Sequence, residues 1–105
     1  MIRGDVYQYK FKEPNKTRPV LILTRTDLIA RLNTVTVAEI TTTIRGNDSE
    51  VLLDESDGMR EDCAVNLINI QTVSKEKMRS YVTHLSEERM LEVFEAIRFA
   101  FGFNR

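Results

Sequence analysis

The chain has 105 residues, of which 42% are hydrophobic and 30% charged, and 15 Lys and Arg against 16 Asp and Glu leave a formal net charge of −1. That length is one ordinary domain, residues 1–105, with enough apolar residues for a single small core and too many for a disordered chain. The longest apolar run, Val20 to Leu23, falls far short of the roughly 20 residues a membrane span requires, and Arg3, Asp5 and Lys10 interrupt any N-terminal signal-like segment.

A lone Cys63 cannot form an intramolecular disulfide, which fits a reducing cytoplasmic location, and it reads as a small buried residue rather than a nucleophile. One Cys and one His also exclude a His/Cys zinc site, and the lysines stand in no Walker-type loop. The charge is unevenly distributed: residues 1–31 carry +4, residues 32–62 carry −6 and residues 63–105 carry +1. A local positive section is sufficient to hold phosphates even where the sum is negative.

Gly4 to Phe11 is β-rich and partly alternating (Val6, Tyr7, Tyr9, Phe11), which predicts a first strand. Lys12 to Thr17 is a polar link bending at Pro14-Asn15. Arg18 to Arg25 predicts a second strand, its unbroken Val-Leu-Ile-Leu run implying burial on both faces. Thr26 to Leu32 reads as a turn or a single helical turn.

Asn33 to Ile44 predicts a long third strand. Val35 and Val37 share one phase whereas Ala38 and Ile40 share the other, so a bulge is expected near Ala38-Glu39. A turn at Arg45 to Asp48, a strand at Ser49 to Leu53 and a turn at Asp54 to Gly58 follow. Cys63 to Ile68 and Ile70 to Val73 predict a fifth and a sixth strand, parted at Asn69. Ser74 is positioned to cap a short helix over Lys75 to Tyr81, and Ser86 a longer one from Glu87 to about Phe101, ended by Gly102. Met90, Phe94, Ile97 and Phe101 share one helical face and predict its packing surface. Five or six short antiparallel strands with a terminal helix predict a mainly β, small barrel closed by that helix.

The sequence has no clustered His, Cys or paired carboxylates in a metal-binding pattern, which disfavours hydrolysis by metal-activated water. RNA supplies its own nucleophile, the 2′-hydroxyl beside each phosphodiester. A protein cutting RNA therefore needs to align that hydroxyl, stabilise the phosphorane and see the 5′-oxygen protonated. DNA lacks the hydroxyl, so this inventory favours a ribonuclease over a deoxyribonuclease. Arg18 has the right chemistry: its planar fork suits two phosphate oxygens, and a buried strand follows it directly. Lys16 and Arg25 read either as further phosphate contacts by charge or as plain surface charge. Thr41, Thr42 and Thr43 are ordinary strand material, and alternation puts Thr41 and Thr43 on one face, which makes Thr43 a candidate RNA contact, and Thr42 on the other. Tyr7 and Tyr9 fit barrel packing, and His84 a surface or interface position.

Arg3-Gly4-Asp5-Val6-Tyr7, Lys16-Thr17-Arg18-Pro19-Val20-Leu21-Ile22-Leu23 and Val37-Ala38-Glu39-Ile40-Thr41-Thr42-Thr43, in that order, resemble the MazF/PemK family of toxin endoribonucleases. The resemblance implies an SH3-like antiparallel barrel with a C-terminal helix, a homodimer, and no cofactor. It implies cleavage of single-stranded RNA, chiefly mRNA, by the toxin of a type II toxin–antitoxin pair. The partner it implies is a cognate antitoxin with an acidic, disordered segment.

Residue by residue, the resemblance gives Arg18 of Arg-Pro-Val the phosphorane and Thr41 after Ile40 a hydrogen bond to the scissile phosphate. It gives Glu13, five residues before Arg18, the role of general base. The family's glycine-rich link is replaced here by Lys12-Glu13-Pro14-Asn15-Lys16-Thr17. Asn69-Ile70-Gln71-Thr72 is a looser match to an Asp-Gln-Ile-Arg-Thr-like stretch, and makes Asn69 and Gln71 RNA contacts whose amides read base edges. Two other readings stand beside this one: a non-catalytic, CcdB-like inhibitor of DNA gyrase, and an inactive SH3-like RNA-binding module. Against the former, the Phe101-Gly102-Phe103-Asn104-Arg105 tail lacks the expected tryptophan.

Overall fold

Alternating, β-branched segments fold as six antiparallel strands, and the computed structural model describes residues 1–12 and 16–103. The elements are β1 (Asp5–Lys10), β2 (Thr17–Ile22), a four-residue helix α1 (Thr26–Ile29), β3 (Thr34–Thr41), β4 (Glu50–Leu53), β5 (Cys63–Ser74), β6 (Met78–His84) and α2 (Glu87–Phe101). They form one curled sheet in the order β4-β5-β3-β2-β1-β6. Glu13, Pro14 and Asn15, with Asn104 and Arg105, lie outside the described residues.

The Val-Leu-Ile-Leu run is explained by two cores, one on each face of the sheet. Leu21 packs with Val6, Ala38, Ile40, Val65 and the Met90, Val93 and Ala96 stripe of α2, with Leu23 alongside; Val20 and Ile22 pack on the other side with Tyr9, Ile29, Val35 and Val37. The phase change in β3 has the same origin. Val35 and Val37 serve one core and Ala38 and Ile40 the other, so the strand needs no extra residue of its own. The register does break between Ala38 and Glu39, as Ala38 pairs with Ile70 but Glu39 with Asn66. The intervening residues 67–69 belong to β5, where the Asn66 side chain accepts the Ile68 N–H at 3.0 Å.

Three expectations are corrected. Cys63–Ser74 is one continuous strand with an internal bulge rather than two strands parted at Asn69. Lys75 to Tyr81 is not a helix: Ser74 caps only the single turn Lys75–Lys77, and Met78–His84 becomes β6. Tyr81, Val82 and Thr83 favour a strand, and pairing with β1 satisfies backbone groups that would otherwise be left at the sheet edge. On α2 the buried stripe is Met90, Val93 and Ala96 with Ile97 beside it, while Phe94 and Phe101 are exposed. The small residues at 93 and 96 bring the helix closer to the sheet than phenylalanines would.

The ends of the sheet are fastened by polar contacts. Asp5, buried, meets His84 Nδ1 at 2.9 Å and accepts the Ile2 N–H, tying the start of β1 to the end of β6. Gly4 (φ +97°) sits under that imidazole, where a Cβ would come within 2.9 Å of Cε1. Among the described residues, no helix is long and apolar enough to cross a membrane.

Candidate active site

β2 delivers Arg18 onto the face that also carries Val20 and Ile22, since side chains alternate along a strand. β3 places Glu39 on the same face, and the two groups form an ion pair, Arg18 Nη1 to Glu39 Oε1, at 3.8 Å. From β5, Gln71 Nε2 donates to the other carboxylate oxygen of Glu39 at 2.8 Å. Arginine, glutamate and glutamine thus form a polar row across three adjacent strands. The Glu39 side chain is 16% exposed and that of Arg18 is 40% exposed, so the acid is enclosed and the guanidinium remains open to solvent.

Thr41 ends β3 in the phase of Glu39. Continuing the Val20–Glu39 register by two residues sets Arg18 opposite Thr41, just past the last ladder pair. The Thr41 hydroxyl accepts the Thr43 N–H at 3.0 Å, which turns the chain sharply away from the strand. Thr41 also stands on the rim of an open cavity with Thr17, Pro19 and Thr42. The opposite wall is the loop after β4, with Met59 and Arg60. Arg18 itself does not line that cavity; its two neighbours Thr17 and Pro19 do.

The loop is held in place by α2. Arg89 Nε donates to Asp57 Oδ1 at 2.9 Å, Asp57 Oδ2 accepts the Asp54 N–H, and the Thr83 hydroxyl donates to the Asp57 carbonyl. At Gly58 (φ +91°) the chain passes so close to β6 that a Cβ would collide with the Thr83 hydroxyl. Cys63 is buried at the foot of the cavity; burial, followed by the charges of Glu61 and Asp57, pushes its thiol up to about 11. A thiol held protonated in this way is a poor nucleophile at neutral pH. Among the described residues, no three His, Cys, Asp or Glu side chains are arranged to hold a metal ion.

The site residues expected from sequence fall into three groups. Arg18, Thr41 and Gln71 are brought to one face, with Thr43 exposed just beyond β3 and Lys16 exposed just before β2. Asn69 is at the exposed tip of the β5 bulge, and Arg25 precedes α1, past the other end of β2, paired with Asp27 at 3.2 Å. Neither joins the Arg18 row. Glu13, expected as a base, lies outside the described residues. Glu39 and Arg60 were not expected. Glu39 had a sequence signal, a carboxylate between Ala38 and Ile40 in a strand buried on both faces. Arg60 had none, because its loop reads as a solvated acidic turn.

Comparison with known proteins identifies the family. Residues 2–101 match the family model described as the PemK-like, MazF-like toxin of type II toxin–antitoxin systems. The chain is 36% identical over 104 residues to the probable endoribonuclease MazF5 of Mycobacterium tuberculosis, covering 98% of this chain and 94% of that protein. Among solved structures it is similar to the M. tuberculosis toxin MazF-mt6, with a TM-score of 0.86 and 35% identity over 93% of this chain and 96% of that one. It is also similar to an endoribonuclease in complex with its cognate antitoxin from a mycobacterial species, with a TM-score of 0.86 and 25% identity over 97% and 95% of the two chains. With its sheet, its terminal helix and nearly its full length matched, the chain belongs to the PemK-like, MazF-like family of type II toxins.

Proposed function

We propose that the chain is an endoribonuclease toxin that cleaves single-stranded RNA, chiefly mRNA, without a metal ion and at preferred sequences. The observation that carries this reading is the Arg18–Glu39–Gln71 row, with the guanidinium solvent-accessible and Thr41 in the same phase. In the reaction the 2′-hydroxyl gives its proton to a carboxylate, Glu13, as O2′ bonds to phosphorus. The P–O5′ bond then breaks, and the 5′-oxygen takes a proton from solvent. Arg18 holds two phosphate oxygens as charge accumulates on the phosphorane, and Thr41 donates a hydrogen bond to the same phosphate. An incoming phosphate has to draw Arg18 away from Glu39. At 3.8 Å and 40% exposure that ion pair is weak enough to yield.

The family also supports an antitoxin partner, since one similar structure is an endoribonuclease bound to its cognate antitoxin. We assign this chain a corresponding partner whose acidic, disordered segment competes with RNA, and a homodimeric assembly.

The test is a long single-stranded RNA incubated with purified protein in EDTA, followed by an oligonucleotide carrying one 2′-deoxy substitution at the mapped cut. Cleavage in EDTA that stops at the substituted position is the expected result. Cleavage that persists there, or that requires a divalent ion, would overturn the mechanism. Intact RNA together with inhibited DNA gyrase would favour the CcdB-like reading.

A further inference from the structure

Four cations gather where β1 ends and β6 begins. Lys10, Lys12, Lys77 and Arg79 surround a shallow depression that shares the side chain of Phe11. All four are exposed, and among the described residues none lies within ion-pair distance of a carboxylate. Arg79 is steadied by the backbone: its Nη1 donates to the carbonyls of Met78 at 3.1 Å and Glu76 at 3.3 Å. A guanidinium has five N–H donors, so most remain for another acceptor. Phe11, half-buried and edge-on to Tyr9 with centroids 4.8 Å apart, is held firmly enough to offer a ring to a base.

The cluster adjoins the cavity on whose rim Thr41 stands. Lys10 pairs with Thr17, which lines the cavity below Thr41. On β6, Arg79 borders the basic depression while Ser80 and Tyr81, next along the strand, border that cavity. From β3 to β6 the path crosses three strand spacings, roughly 14 Å in all. A cleaved dinucleotide step does not extend that far, so only RNA flanking the cut can occupy the cluster.

We infer that Lys10, Lys12, Lys77 and Arg79, with Phe11, form a second RNA-binding site that grips the phosphates of nucleotides flanking the scissile one. The inference rests on the ribonuclease reading and deepens it. An acidic protein segment would also be attracted by the charge, but an aromatic ring among the cations and a position next to the cavity that Thr41 borders favour single-stranded RNA.

The experiment compares wild type with a Lys77→Gln/Arg79→Gln double variant, whose exposed substitutions lie outside the catalytic row. Binding of a fluorescent, uncleavable 2′-O-methyl oligouridylate about 20 nucleotides long is measured by anisotropy across a salt series. The variant is expected to bind about tenfold more weakly, with the slope of log K against log salt shallower by about 1.4, at roughly 0.7 for each of two lost phosphate contacts. In cleavage, KM for a long RNA should rise with kcat unchanged, while a short oligonucleotide centred on the cut should react like wild type. Equal affinities and slopes would overturn the inference, as would an equal loss on short and long substrates. Unchanged RNA binding with weakened binding of a polyglutamate peptide would assign the cluster to an acidic protein instead. If wild type cuts no RNA, the ribonuclease reading fails, and the anisotropy measurement still decides this one.

Discussion

Glu39 is where the chemistry of the site is most constrained, because it binds Arg18 with one oxygen and Gln71 with the other. Glu39→Gln keeps the shape but removes the charge that competes with phosphate for Arg18. The pair is partly exposed, so the gain is small: KM for RNA is expected to fall about threefold with kcat unchanged, in steady-state cleavage assays. A fall in kcat at constant KM would instead make Glu39 a residue that aligns Arg18. Cys63 gives a prediction of a different kind. Its thiol is raised from 9.0 to about 11 by burial, so the fold keeps a proton that the unfolded chain loses first. The associated stability is fully present below pH 9 and is lost as pH rises toward 11, about 3 kcal/mol in all. Urea unfolding of Cys63→Ala should therefore show a flatter alkaline decline than wild type. At this scale the sequence exposed Arg18 and Thr41 through the Arg-Pro-Val and Ile-Thr segments. It concealed their partner, because an acid in a strand declares itself only once both faces of that strand are known to be covered.

Among the elements, the loop from Asp54 to Asp62 depends on contacts made far away in sequence. Arg89 on α2 binds Asp57, whose side chain is 8% exposed, and no local pattern connects the two. Arg89→Met leaves that carboxylate buried without its partner and should cost about 2 kcal/mol, seen as a fall in Tm of about 10 °C. Proteolysis at Arg60 should accelerate in the same variant, because the loop loses its anchor to the helix. Gly58→Ala should be destabilising for two reasons, its φ of +91° and the Thr83 hydroxyl where the new methyl would go. Strands β1 to β4 are legible from alternation and turn residues, β5 only as two pieces parted at Asn69, and α2 from Ser86 and Gly102 at its ends. β6 is not, since Ser74 followed by Lys-Glu-Lys is a sound helix start. That local signal is spent in one turn, and the unpaired edge of β1 then claims the chain. The buried face of α2 was misjudged for a related reason: periodicity marks several apolar residues, and only the closeness of the sheet selects Val93 and Ala96 over the phenylalanines.

In the whole molecule, charge is sorted rather than balanced. The basic residues that matter cluster around β1, β2 and the start of β6, whereas the acidic middle third of the sequence supplies β4 and the loops beside it. RNA affinity should therefore depend strongly on salt despite the net charge of −1. The exposed apolar residues on and after α2, Leu91, Phe99, Phe101 and Phe103, offer surface of the kind a dimeric toxin would cover. All of this serves one claim, that a guanidinium on β2 stabilises the charge of a phosphorane formed by RNA's own hydroxyl. The most direct measurement is the single-turnover cleavage rate of Arg18→Ala beside wild type, on the same RNA in EDTA, with the fold of both checked by circular dichroism. A loss of roughly 10²-fold or more with the fold intact is the predicted result. A folded Arg18→Ala protein that cuts at the wild-type rate would contradict it.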